Sequence, residues 1–330
     1  MTCTFSGPGA KNSERCPRQG WFFASIPRYL LTVYPRLNVL VVALLCALLT
    51  AGCATTQAAP EPSSGPTPLT ASAALGDFAT VDYCSLLDVP AVAPGAVTTP
   101  TFENCRADAG GRTILVGPLA FDSDPNIKPY DYLGPVPDGV AVQQSMFNDR
   151  STCTRAITFA DGNRLDLSVT DGGGDQAGRC GVADAAVGSV LSTVTANKVK
   201  RLNFPDRSWG LVAPCVLLDK PDLEAVAGAG SRPATGLSGH SCIRGKVSFK
   251  LTVETDEAAA PPEQLGGREA RVRLAGAFCL VDTTQPARGL PGHRELAELS
   301  VVETAGTAGD GTCALARTAA NTILPLLPRG

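Results

Sequence analysis

Eight cysteines spaced as two sets of four constrain this chain more than any other feature. The first set is Cys84, Cys105, Cys153 and Cys180, and the second is Cys215, Cys242, Cys279 and Cys313. Equivalent members lie 131, 137, 126 and 133 residues apart. That interval is one domain length rather than a solenoid period. The residues around the cysteines repeat as well. Cys84-Ser85-Leu86-Leu87-Asp88 matches Cys215-Val216-Leu217-Leu218-Asp219, and Cys180-Gly181-Val182-Ala183 matches Cys313-Ala314-Leu315-Ala316. The chain is therefore read as a tandem duplication, with domains over 77–202 and 203–330.

An even cysteine count in an exported chain reads as a disulfide framework. Zinc ligation would need tighter pairing, yet no Cys-x-x-Cys occurs and the only histidines are His240 and His293. Four cysteines allow three pairings per repeat. Pairing first with second and third with fourth closes the shorter loops: Cys84–Cys105, Cys153–Cys180, Cys215–Cys242 and Cys279–Cys313. Each bridge is expected to contribute roughly 3 kcal/mol.

Export is written at the other end of the chain. Leu37 to Gly52 is a mostly apolar stretch that follows Arg36 and ends in Leu49-Thr50-Ala51-Gly52-Cys53. A basic flank, a short apolar run and small residues before a cysteine form a lipoprotein signal peptide, with Thr50 where Leu is commoner. The run is short for a bilayer span, which takes about 20 residues. Residues 1–52 are thus a leader, with 1–32 an over-extended start, and the Cys53 thiol is expected to carry the lipid. A Pro/Ser/Thr linker over 53–76 buries too little apolar surface to fold. The expected location is the extracytoplasmic face of the cell membrane, lipid-anchored.

Charge narrows the partners. The first 52 residues hold five basic residues and one acid, leaving 23 bases against 30 acids beyond them. A net −7 excludes the clustered basic surface that nucleic acid requires. The longest basic run, Lys198-Val199-Lys200-Arg201, reads as a solvated boundary, with contact to an anionic surface as the other reading.

Within each repeat, Ser85 to Val89 suits a short helix. Lys246 to Glu254 alternates apolar and polar residues as a half-buried strand does. Ala160-Asp161-Gly162-Asn163 reads as a hairpin turn between strands over 153–159 and 164–169. Stripes at Val182, Ala186, Val190 and Val194, and at Leu315, Ala319, Ile323 and Leu326, predict a closing helix in each copy. The fold class expected is α+β: two tandem disulfide-bonded domains, each a mostly antiparallel sheet of about four strands with a C-terminal helix packed on one face.

The lipobox, the linker, Cys-x-Leu-Leu at the domain start, paired mid-domain cysteines and a final Cys-x-x-Ala helix resemble a group of actinobacterial lipoproteins. This group includes a Cys-containing family of unknown function and, more distantly, the four-cysteine extracellular sensor domain of mycobacterial receptor kinases. The resemblance covers about residues 78–326 and departs from the family in having two copies. It implies an extracytoplasmic domain that binds a ligand or the cell wall, and brings no catalytic residues.

Motifs for chemistry are sparse. Gly236-Leu237-Ser238-Gly239-His240 misses the nucleophile elbow, and the residue equivalent to His240 in the first copy is Asn104. Asp122-Ser123-Asp124-Pro125-Asn126 opens like a calcium loop but has Ile127 at the sixth position and Leu133 at the twelfth. Asp171-Gly172-Gly173-Gly174-Asp175 could also cup a cation, with a flexible Gly loop as the plainer reading. No metal or cofactor is expected. The loop from Asp122 to Asp138 is the odd segment: Tyr130, Asp131 and Tyr132 sit among Pro129, Pro135 and Pro137. A proline-stiffened aromatic loop loses little entropy on binding and is the candidate recognition loop. The function expected is a non-catalytic envelope lipoprotein that binds or senses an envelope glycan, a lipid or an exported protein. The alternative is an unrecognised extracellular hydrolase of envelope polymers.

Overall fold

The structure is a computed structural model that describes residues 67–121, 126–145, 151–171, 175–255, 261–304 and 306–330. The expected signal peptide, Cys53, most of the expected linker, residues 122–125 of the candidate loop and residues 172–174 of the Gly loop lie outside these residues. The described residues all belong to one compact unit.

That unit holds two seven-stranded antiparallel sheets. In the first half come short helices α1 (Ala71–Leu75) and α2 (Val89–Val92), then β1 (Val97–Pro100), β2 (Cys105–Ala109), β3 (Arg112–Phe121), β4 (Ile127–Pro129), β5 (Ala141–Ser145), β6 (Thr152–Thr158), β7 (Asn163–Asp171) and the helix α3 (Gln176–Thr195). The second half repeats the order: α4 (Pro214–Leu218), α5 (Glu224–Ala227), β8 (Ala234–Thr235), β9 (Ser241–Arg244), β10 (Val247–Glu254), β11 (Pro262–Leu265), β12 (Arg268–Ala275), β13 (Phe278–Pro286), β14 (Arg294–Val302) and α6 (Asp310–Ile323). The strand orders are β1-β2-β3-β7-β6-β5-β4 and, read from the matching edge, β8-β9-β10-β14-β13-β12-β11. The duplication is thus a duplication of topology, and the α+β, two-domain architecture holds.

The seven strands exceed the four expected by three in each sheet, and the two outermost strands of each sheet share a cause. β1, β4, β8 and β11 lie at or near the sheet margins, run for two to four residues, and three of them contain a proline. Edge strands are short and half-solvated, so they lack the alternation that marks a central strand. The central strands show it clearly: β10 alternates buried and half-buried along its whole length. The turn over 160–163 is present, with Phe159 N–H donating to Asn163 C=O at 2.8 Å and Gly162 at φ 76°.

Each closing helix covers the inner face of its sheet. α3 buries Ala183, Ala186, Val187, Val190, Leu191 and Val194 over Ile114, Leu165 and Leu167, and Asp175 caps its first turn. α6 buries Cys313, Ala316, Ala319, Ala320 and Ile323. The predicted stripe is therefore rotated in the second copy: Leu315 is 39% exposed and Leu326 47%. The Cys279–Cys313 bridge ties Cys313 to the sheet and so turns that side of α6 inward. The eight cysteines pair as Cys84–Cys105, Cys153–Cys180, Cys215–Cys242 and Cys279–Cys313.

The linker ends sooner than expected. Thr70 caps α1, whose Ala71 and Leu75 are fully buried in the first core. Leu69 exchanges backbone bonds with Asp138 and Ala160, and the Asp161 carboxylate accepts from Ala71 N–H at 3.2 Å. Residues 69–75 thus belong to the first domain, because a short Leu-x-Ala-x-x-Ala-Leu run fills the space beside the β6–β7 hairpin. Its neighbouring Pro, Ser and Thr disguise it in the sequence.

The two halves meet at a buried joint. Phe102, from the β1–β2 turn, sits in the second core against Phe204 and His240, with ring centroids 5.3 and 5.1 Å away. Beside it, the buried Glu103 carboxylate accepts from Ser238 Oγ at 2.6 Å and pairs with Lys250 at 3.0 Å. His240 Nε2 reaches the Ala79 carbonyl at 2.8 Å. The turn is held against β3 because Gly117, at φ 102°, leaves no Cβ to overlap the Glu103 carbonyl.

Candidate functional site

Two grooves flank α3 in the first domain. After β4 the chain runs along this helix instead of returning directly to the sheet. Tyr130 and Tyr132 are half-buried and pack on the core. Tyr130 OH donates to Asp184 Oδ2 at 2.9 Å, while Arg155 Nε donates to Asp184 Oδ1 at 2.7 Å. The Arg155 guanidinium lies 3.8 Å from the centroid of the Tyr130 ring. Tyr132 OH donates to the Asp184 carbonyl at 3.4 Å and leans over Gly188, where a Cβ would meet it. Burial, and then the nearby Asp184 charge, push the Tyr132 phenol pKa up.

The two rings therefore anchor the candidate loop to its own domain. Its outward residues are others: Asp131 is exposed, Leu133 is 99% exposed and Val136 38%. Between Pro135-Val136-Pro137 and the helix residues Gly188, Leu191 and Thr195 lies a groove of about 540 Å3. On the other flank of α3 a second groove of about 470 Å3 is lined by Ser85, Asp88, Ser189, Lys198 and Lys200, among others. Ser192 lines both. The small side chains at Gly188, Ser189 and Ser192 keep the ridge between them low. One groove is apolar and the other offers two ammonium groups against the single Asp88 carboxylate, with several hydroxyls. Together they could hold a ligand with an apolar and an anionic part.

The second copy treats the same place differently. Arg317 occupies the position equivalent to Asp184, four residues after the helical cysteine, and pairs with Glu263 of β11 at 3.0 Å. Asn321 Oδ1 accepts from Gly266 N–H at 2.7 Å. Both copies tie the strand after the β3-type strand to the helix, with unlike chemistry.

Asp184, Arg155 and Ser192 carried no sequence signal beyond their offsets from Cys180 and Cys153. Lys198 and Lys200 were legible as a basic run whose place beside a groove only the fold reveals. Ser238 and His240 lie together in the joint, but Ser238 Oγ donates to Glu103 and the His240 ring reaches Ala79, so they form no relay. His293 Nδ1 is bonded to the Pro291 carbonyl in the β13–β14 turn. Asp171 pairs with Arg179 at 2.7 Å and Asp175 caps α3, which employs both acids of that loop in the fold. Among the described residues no group of three or more His, Cys, Asp or Glu is placed to hold a metal ion, and no helix is long and apolar enough to cross a membrane.

No known protein family matches the chain, and no curated protein matches it. Solved structures that align include the di-domain ARO/CYC protein of the steffimycin biosynthetic pathway, at 11% identity over 79% of this chain and 91% of that one, TM-score 0.19. Another comes from the dynemicin biosynthetic locus, at 13% identity over 72% and 88%, TM-score 0.14. At those scores neither likeness extends to the site.

Proposed function

We propose that this chain is an exported lipoprotein, anchored through Cys53, whose first domain binds an extracytoplasmic ligand or protein partner along α3 without transforming it. The observation that carries this reading is the pair of grooves meeting at Ser192, one apolar under Pro135–Pro137 and one bearing Lys198 and Lys200. Four disulfides suit an oxidising compartment, in keeping with the lipobox. The resemblance to four-cysteine envelope lipoproteins and sensor domains carries the same expectation. Leu133 and Val136 supply exposed apolar surface, whose removal from water by a partner is favourable.

Capture from envelope extract tests the reading. Val136→Asp, and separately Lys198→Glu with Lys200→Glu, should each reduce recovery of whatever the wild type retains by at least about tenfold, with thermal melting nearly unchanged. Retention equal to wild type in both variants would place binding elsewhere. In the same cells Cys53→Ser should shift the protein from the membrane to the soluble fraction or leave it unprocessed; normal fractionation with lipid still attached removes the anchor from the proposal.

A further inference from the structure

The four disulfides are not chemically equivalent. Cys153 is fully buried on β6, and Arg155 Nη1 donates to its sulfur at 3.2 Å. That guanidinium is held by contacts at Nε, at Nη1 and on one face. Nε is bonded to Asp184, Nη1 also donates to the Thr154 carbonyl at 2.9 Å, and the ring of Tyr130 lies under it. Asp184 takes the Nε edge, so Nη1 is the group presented to the sulfur. The other half of the bridge, Cys180, is only half-buried, on the second turn of α3.

The second domain supplies the comparison. Two residues after Cys279 stands Val281, fully buried, in place of Arg155. Arg317, four residues after Cys313, is turned away toward Glu263. Cys313 itself is buried. The second bridge therefore has neither the guanidinium at its inner sulfur nor the exposure at its outer one.

We infer that Cys153–Cys180 is a thiol–disulfide exchange site, opened by a dithiol that attacks Cys180. A thiolate of the dithiol bonds to Cys180 Sγ, and the Cys153–Cys180 bond breaks with its electron pair passing to Cys153. The weak N–H···S contact from Arg155 then becomes a charge-assisted bond to a thiolate, so it is stronger after cleavage than before. A leaving thiol of lowered pKa departs faster, and stabilising the reduced form makes the bridge more oxidising. The second thiol of the dithiol next attacks its own sulfur in the mixed disulfide and releases Cys180. The dithiol is oxidised by two electrons to a disulfide, the protein bridge is reduced by two, and the dithiol's two protons balance the two new thiols. Opening frees α3 from β6 beside the Asp184 link, at the helix that lines both grooves.

Graded reduction tests this on the folded full-length protein. The protein is exposed to dithiothreitol without denaturant, quenched with N-ethylmaleimide and mapped by peptide mass spectrometry. Cys153 and Cys180 should be alkylated about ten times faster than Cys279 and Cys313 in the same molecules. Equal rates, or the reverse order, overturn the inference. Arg155→Met combined with Asp184→Asn removes the cation and its counter-charge together, and should slow opening of the first bridge about tenfold against the internal standard. Were early opening merely loose packing, this variant would open faster, and that result also overturns the inference.

Discussion

His240 is one of two histidines, and its environment makes it a reporter of the joint. It is 1% exposed, Nε2 is bonded to the Ala79 carbonyl, and Nδ1 is buried with no hydrogen-bond partner. Burial is the largest influence and lowers its pKa, against the opposing pull of that carbonyl and of the Glu103 and Asp77 charges. An unfolded histidine titrates near about 6.5. Below that pH the unfolded state binds the proton that the folded state resists, so the stability linked to neutral His240 is present above the unfolded pKa. It is lost as pH falls toward the folded value. Urea unfolding at pH 7.5 and 5.0 should show a smaller loss for His240→Gln than for wild type. Parallel losses would mean that other groups carry the acid sensitivity.

At the scale of elements, α1 is the clearest departure from composition. Leu75 is fully buried, so Leu75→Ala should cost about 3 kcal/mol, as buried Leu truncations do. A change under about 0.5 kcal/mol in denaturant unfolding would return residues 69–75 to the linker. The contact between the fourth strand region and the closing helix shows how duplicated elements diverge. Tyr130 and Arg155 meet Asp184 in one copy, and Glu263 meets Arg317 in the other. Backbone placement is kept while the side chains that make the link change from a buried Arg155 with Tyr130 and Asp184 to a half-exposed Glu263–Arg317 pair.

In the whole molecule, the joint makes one unit of two domains. Phe102 belongs to the first half by sequence and to the second by packing. Phe102→Ala should destabilise by about 3 kcal/mol, and amide hydrogen exchange should accelerate in β9 and β10 as well as in β1 and β2. Exchange confined to the first sheet would show that the second core does not depend on this ring. Glu103 reinforces the joint, since a buried carboxylate retained with Ser238 and Lys250 favours one geometry over others.

Much of this protein was determined by local and covalent pattern. Cysteine spacing marked the duplication and the bridges, because each bridge closes a loop within one repeat. Alternation marked the central strands, because a strand with one buried face must repeat every second residue. Tertiary structure alone decided the rest. The edge strands, α1 and the rotation of α6 depend on neighbours distant in sequence. So do the grooves, which arise where a loop 50 residues upstream meets α3, and the guanidinium at Cys153, which is held there by Asp184 and Tyr130. Burial and charge proximity are properties of the packed chain, and no window of sequence contains them.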